Sequence, residues 1–420
     1  METIVKTQGI TCHFIPTDKF KTNTLVFKMK APLRRETATM RALLPHVLQS
    51  ATHTYPSMTE VRSRLEELYG ATLNVDLQKK GEYHIISIAM EVANEKFLSG
   101  APSLLKESLD LFREVIRNPK MEQGAFDPAI VEREKRNLKQ RIQSVFDDKM
   151  RYASLRLIEE MCREEPYAIP VYGILADVEP VNPHRLFHYY QSCLAEDALD
   201  LYLVGNFPRD EMMEWINRHL AFQTREPERV EKRNPISRRE TKVVVERQDI
   251  LQGKLNIGFR TNIRYGDPDY FALQVFNGLF GGFPHSKLFM NVREKASLAY
   301  YASSRLESHK GLLLVMTGIE PENYERAREI IFEQWEEMKS GRFSEEDLAK
   351  TKAVIKNQML ETFDIPRGLV EVLYHNVIGG NSMTEKDWFT GLEAVTKEDV
   401  IAVGEKTWPD TVYFLTRKEE

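Results

Sequence analysis

The chain has 420 residues, 42% of them hydrophobic and 29% charged, with a net charge of −5. That length is about twice an ordinary domain, and the composition is that of a soluble globular protein. The slight acidic balance leaves no basic footprint for nucleic acid or anionic lipid, and no apolar run approaches the ~20 residues of a membrane helix.

The N-terminus, METIVKTQGITCHF, has no basic segment followed by an apolar one, so no signal peptide is expected. Three distant cysteines, Cys12, Cys162 and Cys193, fit buried thiols in a reducing cytoplasm. TIVKTQGITCHF opens the first half as strand. RALLPHVLQSATHTY (41–55) follows as a helix whose apolar face is Leu43, Leu44, Val47 and Leu48, with His46 beside it. LEELYGATLNVDLQKKGEYHIISIAME (65–91) runs from a helix end through a strand and a Gly-containing turn into a second strand. Helices are predicted over 101–117 and 126–142, and DLYLVGNF (200–207) closes the half as a strand.

Residues 222–240, FQTREPERVEKRNPISRRE, are dense in charge and hold two prolines, which marks a linker. KVVVERQD opens the second half as a strand. NVREKASLAYYASSRLESHKGLLLVMTGIE (291–320) repeats the order of helix end, strand, turn and strand. Helices over 321–339 and 343–359 and the strand TVYFLTR (411–417) complete it. FDPAIVEREKRNLKQRI (126–142) set under FSEEDLAKTKAVIKNQM (343–359) shares its opening Phe and aligns Val131 with Leu348, Leu138 with Ile355 and Ile142 with Met359. Two such segments in the same order on both sides of a linker indicate a duplication. The predicted fold class is α+β: two homologous layered domains, 1–221 and 241–420, each a sheet with helices on one face, joined by 222–240 into a clam-like pair.

The stretches YPS, LYGATLN, EEPYAIPVYG (164–173), LYLVGNF and LFGGFPHSKLFMNVREKASLAYYASS (279–304), in this order and spacing, resemble the pitrilysin and mitochondrial-processing-peptidase family of inverzincins. The resemblance covers essentially the whole chain and is nearest to the two-domain bacterial members. In that family a helix carries H-x-x-E-H, two zinc-binding histidines and a general base, and a later helix supplies a third ligand, a Glu. Laid on this chain, the motif falls on Ala42, Pro45 and His46, and the third ligand on Arg141. Glu134 survives as the other acidic position of that later helix. One histidine cannot hold a catalytic zinc, an Arg beside a cation is an electrostatic conflict, and Pro45 has no carboxylate to take a proton from water. The resemblance therefore implies a chain without hydrolytic activity of its own and without a cofactor.

Family members also carry an Arg and a Tyr, seven residues apart, that reach the substrate at the zinc site; here they are Arg293 and Tyr300. In small bacterial relatives one subunit holds the zinc motif and its partner keeps this pair. This chain has the second pattern. It implies a partner subunit that completes the chamber of a zinc-bearing homologue acting on extended peptides, bound by strand addition at a sheet edge. No nucleic-acid or membrane partner is implied, and homodimerisation without the partner is left open.

Plainer readings stand beside these. His46 on a mainly apolar helix is an ordinary core histidine, and the His184/His188 pair has metal-compatible spacing but reads as a solvent-facing or packing pair. His53 reads as part of a helix cap. Glu294 is adjacent to Arg293 but is expected to point elsewhere, Tyr300 could be strand packing, and Gly281–Gly282 reads as a tight turn. Two other functions compete: a scaffolding homologue with no part in proteolysis, and a hydrolase with a rearranged metal site drawn from His46, His53 and Glu134.

Overall fold

The computed structural model describes residues 2–99, 103–231 and 236–418. They form two compact units. The first comprises Met1–Ser144, Ile169–Glu231 and Ile365–Glu371; the second comprises Val145–Ala168, Lys232–Asp364 and Val372–Glu420. The chain thus changes unit ahead of the charged linker as well as within it, and each unit includes a segment from the other half of the sequence.

The first unit is built on a six-stranded sheet of β1 (Thr3–Thr7), β2 (Ile10–Pro16), β3 (Thr22–Pro32), β4 (Thr72–Lys80), β5 (Tyr83–Ala93) and β6 (Ala198–Gly205), in the order β1–β2–β6–β3–β5–β4. Only β2 and β6 are parallel neighbours. Strict alternation sends Leu25, Phe27 and Met29 of β3, and Ile86, Ile88 and Met90 of β5, into one core with Leu43, Leu44, Val47 and Leu48 of helix α1 (Arg35–Ser50). The same core takes Val131, Leu138 and Ile142 of α2 (Pro128–Asp147). Helix 101–117 is seen as Leu104–Arg117; residues 101 and 102 lie outside the described ones, as do 232–235 of the linker.

The second unit carries β7 (Lys242–Gln248), β8 (Gly253–Arg260), β9 (Ala299–Glu307), β10 (Leu312–Ile319) and β11 (Trp408–Arg417), in the order β9–β10–β8–β11–β7. Reading from the hairpin edge, β4–β5–β3–β6–β2 and β9–β10–β8–β11–β7 match strand for strand. In both, only the last pair is parallel. The duplication legible in the helices is therefore a duplication of the whole sheet, with β1 the one strand of the first that has no counterpart.

One expectation needs correction. The second sheet is covered on both faces, because α3 (Lys149–Met161) lies on the face opposite the main core. Its stripe of Tyr152, Ala153, Leu157, Ile158 and Met161 packs on Leu312, Leu314, Tyr413 and Leu415. Asp148 caps this helix, accepting from the backbone N–H groups of Met150 and Arg151. Burying Leu157, Ile158 and Met161 is worth roughly 1.5–3 kcal/mol each, enough to fix the segment where its apolar face is matched. In the first unit the corresponding sheet face mixes buried apolar side chains, such as Val26 and Ile85, with polar ones. Lys28 there is fully buried and donates to Ser87 Oγ (3.1 Å) and to Glu371 Oε1 (2.5 Å), the latter from the start of helix α5 (Pro366–Gly379). Helix α4 (Glu345–Phe363) is the second-half counterpart of α2 and opens with a capping box, Ser344 with Asp347.

Candidate functional site

Helix α1 continues through Pro45 without interruption, with both Ala42 and Pro45 buried. It is pinned by the residue just before the motif. Arg41 is fully buried and donates to Met29 O (2.6 Å), His84 O (3.0 Å) and Asp197 Oδ2 (2.6 Å). Gly173, the last residue of EEPYAIPVYG, adopts φ +72°, and a Cβ there would fall 2.6 Å from Thr39 Cα. Only glycine allows that loop to lie against α1. Gln49 on the same helix donates to the Leu73 carbonyl of β4, the strand at the sheet margin (2.8 Å).

Helix α2 starts where Asp127 accepts from Ala129 N (2.8 Å) and Ile130 N (3.2 Å), with Pro128 as its first residue. Glu134, Leu138 and Arg141 recur at helical spacing on its inner face, and Ala42, His46 and Ser50 recur at four-residue spacing on α1. The two rows meet. Ser50 Oγ lies 3.1 Å from Glu134 Oε1, and an Arg141 guanidinium nitrogen lies 3.4 Å from His46 Nδ1. Positions that the resemblance maps to two different ligands are thus in contact, though 95 residues apart in sequence.

The donor set does not fit zinc. A guanidinium has no lone pair to give, so Arg141 donates and His46 Nδ1 accepts. Burial first, and then the Arg141 charge, push the His46 pKa down to about 4, outweighing Glu134 and Asp76. Glu134, 4% exposed, is already held by Arg133 Nε (2.9 Å), Asn137 (2.9 Å) and Ser50. His53 is exposed, and among the described residues no three His, Cys, Asp or Glu side chains stand together as a metal site, so His46, His53 and Glu134 do not make a ligand set. The cap of the helix after His53 is Ser57, which accepts from Glu60 N. His184 and His188 are both exposed.

Arg293 and Tyr300 belong to the second unit. Arg293 lies in a π-helical turn, Phe289–Lys295, with its guanidinium 4.6 Å from the Phe289 ring centre. Glu294 does not point away: its Oε1 is 3.6 Å from Arg293 Nε. The turn ends at Ser297, a non-glycine residue at φ +52°, and the chain enters the edge strand β9. There Ala299 pairs with Ile319 and Tyr301 with Gly318, so Tyr300 is the extra residue of a β-bulge. It is not strand packing. Tyr300 is 60% exposed and donates to Glu320 Oε1 (2.5 Å). Gly281 and Gly282 sit in a second π-helical turn, Gly278–Gly282, and not in a tight turn. Its close fit, a Cβ on Gly281 falling 2.5 Å from Ser304 Oγ, holds it against β9.

Arg41 and Ser50, which organise the first site, and Glu320, which holds Tyr300, were not singled out from the sequence. Nothing in residue type separates Arg41 from a solvated helix arginine; only its neighbours in space do.

The sequence model of the Peptidase M16 inactive domain matches residues 180–355. A Bacillus subtilis protein described as a probable inactive metalloprotease is 50% identical over 411 residues, 98% of this chain and 96% of its own. The B. subtilis subtilosin biosynthesis protein AlbE is 27% identical over 273 residues, 64% of this chain and 67% of its own. The crystal structure of a conserved Enterococcus faecalis protein superposes with a TM-score of 0.93 at 35% identity, covering 100% of this chain and 99% of that one. With a histidine facing an arginine where a zinc-binding set would stand, the chain belongs to the M16 peptidase family, among its inactive members.

Proposed function

We propose that this chain is a non-catalytic partner subunit that completes the substrate site of a zinc-bearing homologue, which cleaves extended peptides. The partner supplies the zinc, its bound water and the general base; this chain needs no cofactor. Its contribution is Tyr300, whose hydroxyl, on leaving Glu320, can donate to a developing oxyanion, and Arg293, whose guanidinium can hold a substrate carbonyl. The observation that carries the reading is the β-bulge that turns Tyr300 outward at a sheet edge. The bulge leaves the ring outside the fold's own packing, with its hydroxyl donating to Glu320. A peptide added to a sheet edge gains backbone hydrogen bonds with little sequence choice, which suits substrates selected by extension and not by motif. The compartment expected for the pair is the cytoplasm; no helix among the described residues is long and apolar enough to cross a membrane.

The test is reconstitution with a zinc-bearing homologue encoded by the same genome. Peptide hydrolysis should require both chains, and Arg293→Ala or Tyr300→Phe should lower kcat/KM at least tenfold with zinc content unchanged. Full activity in both variants would leave the scaffolding reading as the better one.

A further inference from the structure

Arg141 differs from three other inward-facing cations of the first unit. Arg41 is paired with Asp197, Lys28 with Glu371, and Arg225 with three backbone carbonyls, of Gly9, Asp197 and Leu194. Arg141 is half-buried, and its side chain has one polar neighbour, the neutral acceptor His46 Nδ1. The nearest acidic side chain of its own helix face, Glu134, is spent on Arg133, Asn137 and Ser50. Asp76 accepts from Leu77 N and Gln78 and acts on His46 only at longer range. A partly desolvated guanidinium without a contacting carboxylate is costly, and among the described residues none makes an ion pair with Arg141.

The tautomer sharpens the point. Because Nδ1 accepts from Arg141, the neutral His46 ring carries its proton on Nε2. That Nε2–H points to the far side of the ring, so His46 serves to orient Arg141, whose remaining guanidinium N–H groups are left as donors. A guanidinium edge accepts an anion with two oxygens in a plane. β4, at the sheet margin, is tied to the same helix through Gln49, so an extended chain could find a backbone edge close by.

We infer that Arg141 and His46 form a carboxylate-binding site, which holds a peptide by its C-terminal carboxylate or by an acidic side chain. The position that carries a cationic metal in active relatives would then still carry a positive charge, now one that binds and cannot hydrolyse. The inference goes beyond the partner-subunit reading and stands without it, since this site lies in the chain's own first unit and is testable in its absence.

The experiment uses the full-length chain alone and four nonapeptides labelled at the N-terminus with a fluorophore. One has a free C-terminus and no acidic residue, and its twin is C-terminally amidated. A third is amidated with a central Glu, and its twin has Gln there. Fluorescence anisotropy should show at least one carboxylate-bearing peptide binding ten times or more tighter than its neutral twin, and which pair differs identifies the source of the carboxylate. Arg141→Gln should remove that difference, leaving the neutral twins unaffected, and Arg141→Lys should restore it only in part, because a single ammonium lacks the planar fork. Equal affinity within both pairs, or no binding by any of the four, overturns the proposal. So does a loss in Arg141→Gln that is the same for acid and neutral peptides.

Discussion

Lys28 and Glu371 lie 343 residues apart in sequence and 2.5 Å apart in space. Lys28 is fully buried, and Lys80 approaches the same carboxylate at 3.1 Å. Removing Glu371 would strand a buried ammonium. Glu371→Ala is expected to destabilise the first unit by about 3 kcal/mol, the low end for a broken buried pair because the carboxylate is one-third exposed. Chemical denaturation followed by a probe in that unit measures it. Lys28→Met combined with Glu371→Leu should recover most of the loss; a single-variant cost near zero would refute the pairing.

The acid side of the stability profile should depend on His46. Its pKa is about 4 in the folded protein and near 6.5 when unfolded. Between those values the unfolded chain holds a proton that the folded chain does not, so stability is complete above about pH 6.5 and falls as pH drops toward 4. His84, pushed down to about 3 by burial and then by Arg41, acts in the same direction. His13 acts oppositely: burial disfavours its charge, but hydrogen bonds to Asp200 and Glu2 outweigh this and raise its pKa. Its contribution is complete at low pH and lost as pH rises through the folded value. His46→Gln should therefore flatten the loss of stability between pH 6.5 and 4.5, and an unchanged slope would count against the assignment.

Zinc binding should be recoverable. Ala42→His with Arg141→Glu places two imidazoles four residues apart on α1 opposite a carboxylate on α2. One zinc per chain is expected by equilibrium dialysis, and none for Arg141→Glu alone. Because Ala42 is packed in the core, the added ring should cost about 1–3 kcal/mol of stability. A folded double variant that binds no zinc would show that the two helices are not in the register described.

Tyr300→Phe should leave the melting temperature unchanged, since the side chain is exposed and its hydrogen bond to Glu320 lies in water. Differential scanning calorimetry checks this. A clear drop would mean that Tyr300 serves the fold, and any loss of activity in the reconstituted pair would then need another reading.

Much of the fold was legible because it is written in periodicity. HIISIAME and GLLLVMTGI alternate toward one core, and the row Val131, Leu138, Ile142 repeats as Leu348, Ile355, Met359. What periodicity cannot say is which surface covers a given stripe. The apolar face of α3 announces that something packs on it; that the something is β10 and β11, beyond the linker, depends on shape matching across the chain. The positions of the degenerate motif were legible through resemblance, but the contact of His46 with Arg141 requires the register of two helices. The bulge at Tyr300 was invisible for a similar reason, because it is a property of the pairing between β9 and β10 and not of either strand.

The segments that each unit borrows from the other half bear on synthesis. A ribosome delivers residues in order, so the first unit stays unfinished until Glu371 emerges, after most of the second unit. Until then Ile365–Glu371 is missing from it, while the second unit already has α3 in hand before its first strand appears. Cutting the gene at the linker would give neither fragment its full set of parts, so the two halves, though alike in topology, are not interchangeable modules but interleaved ones.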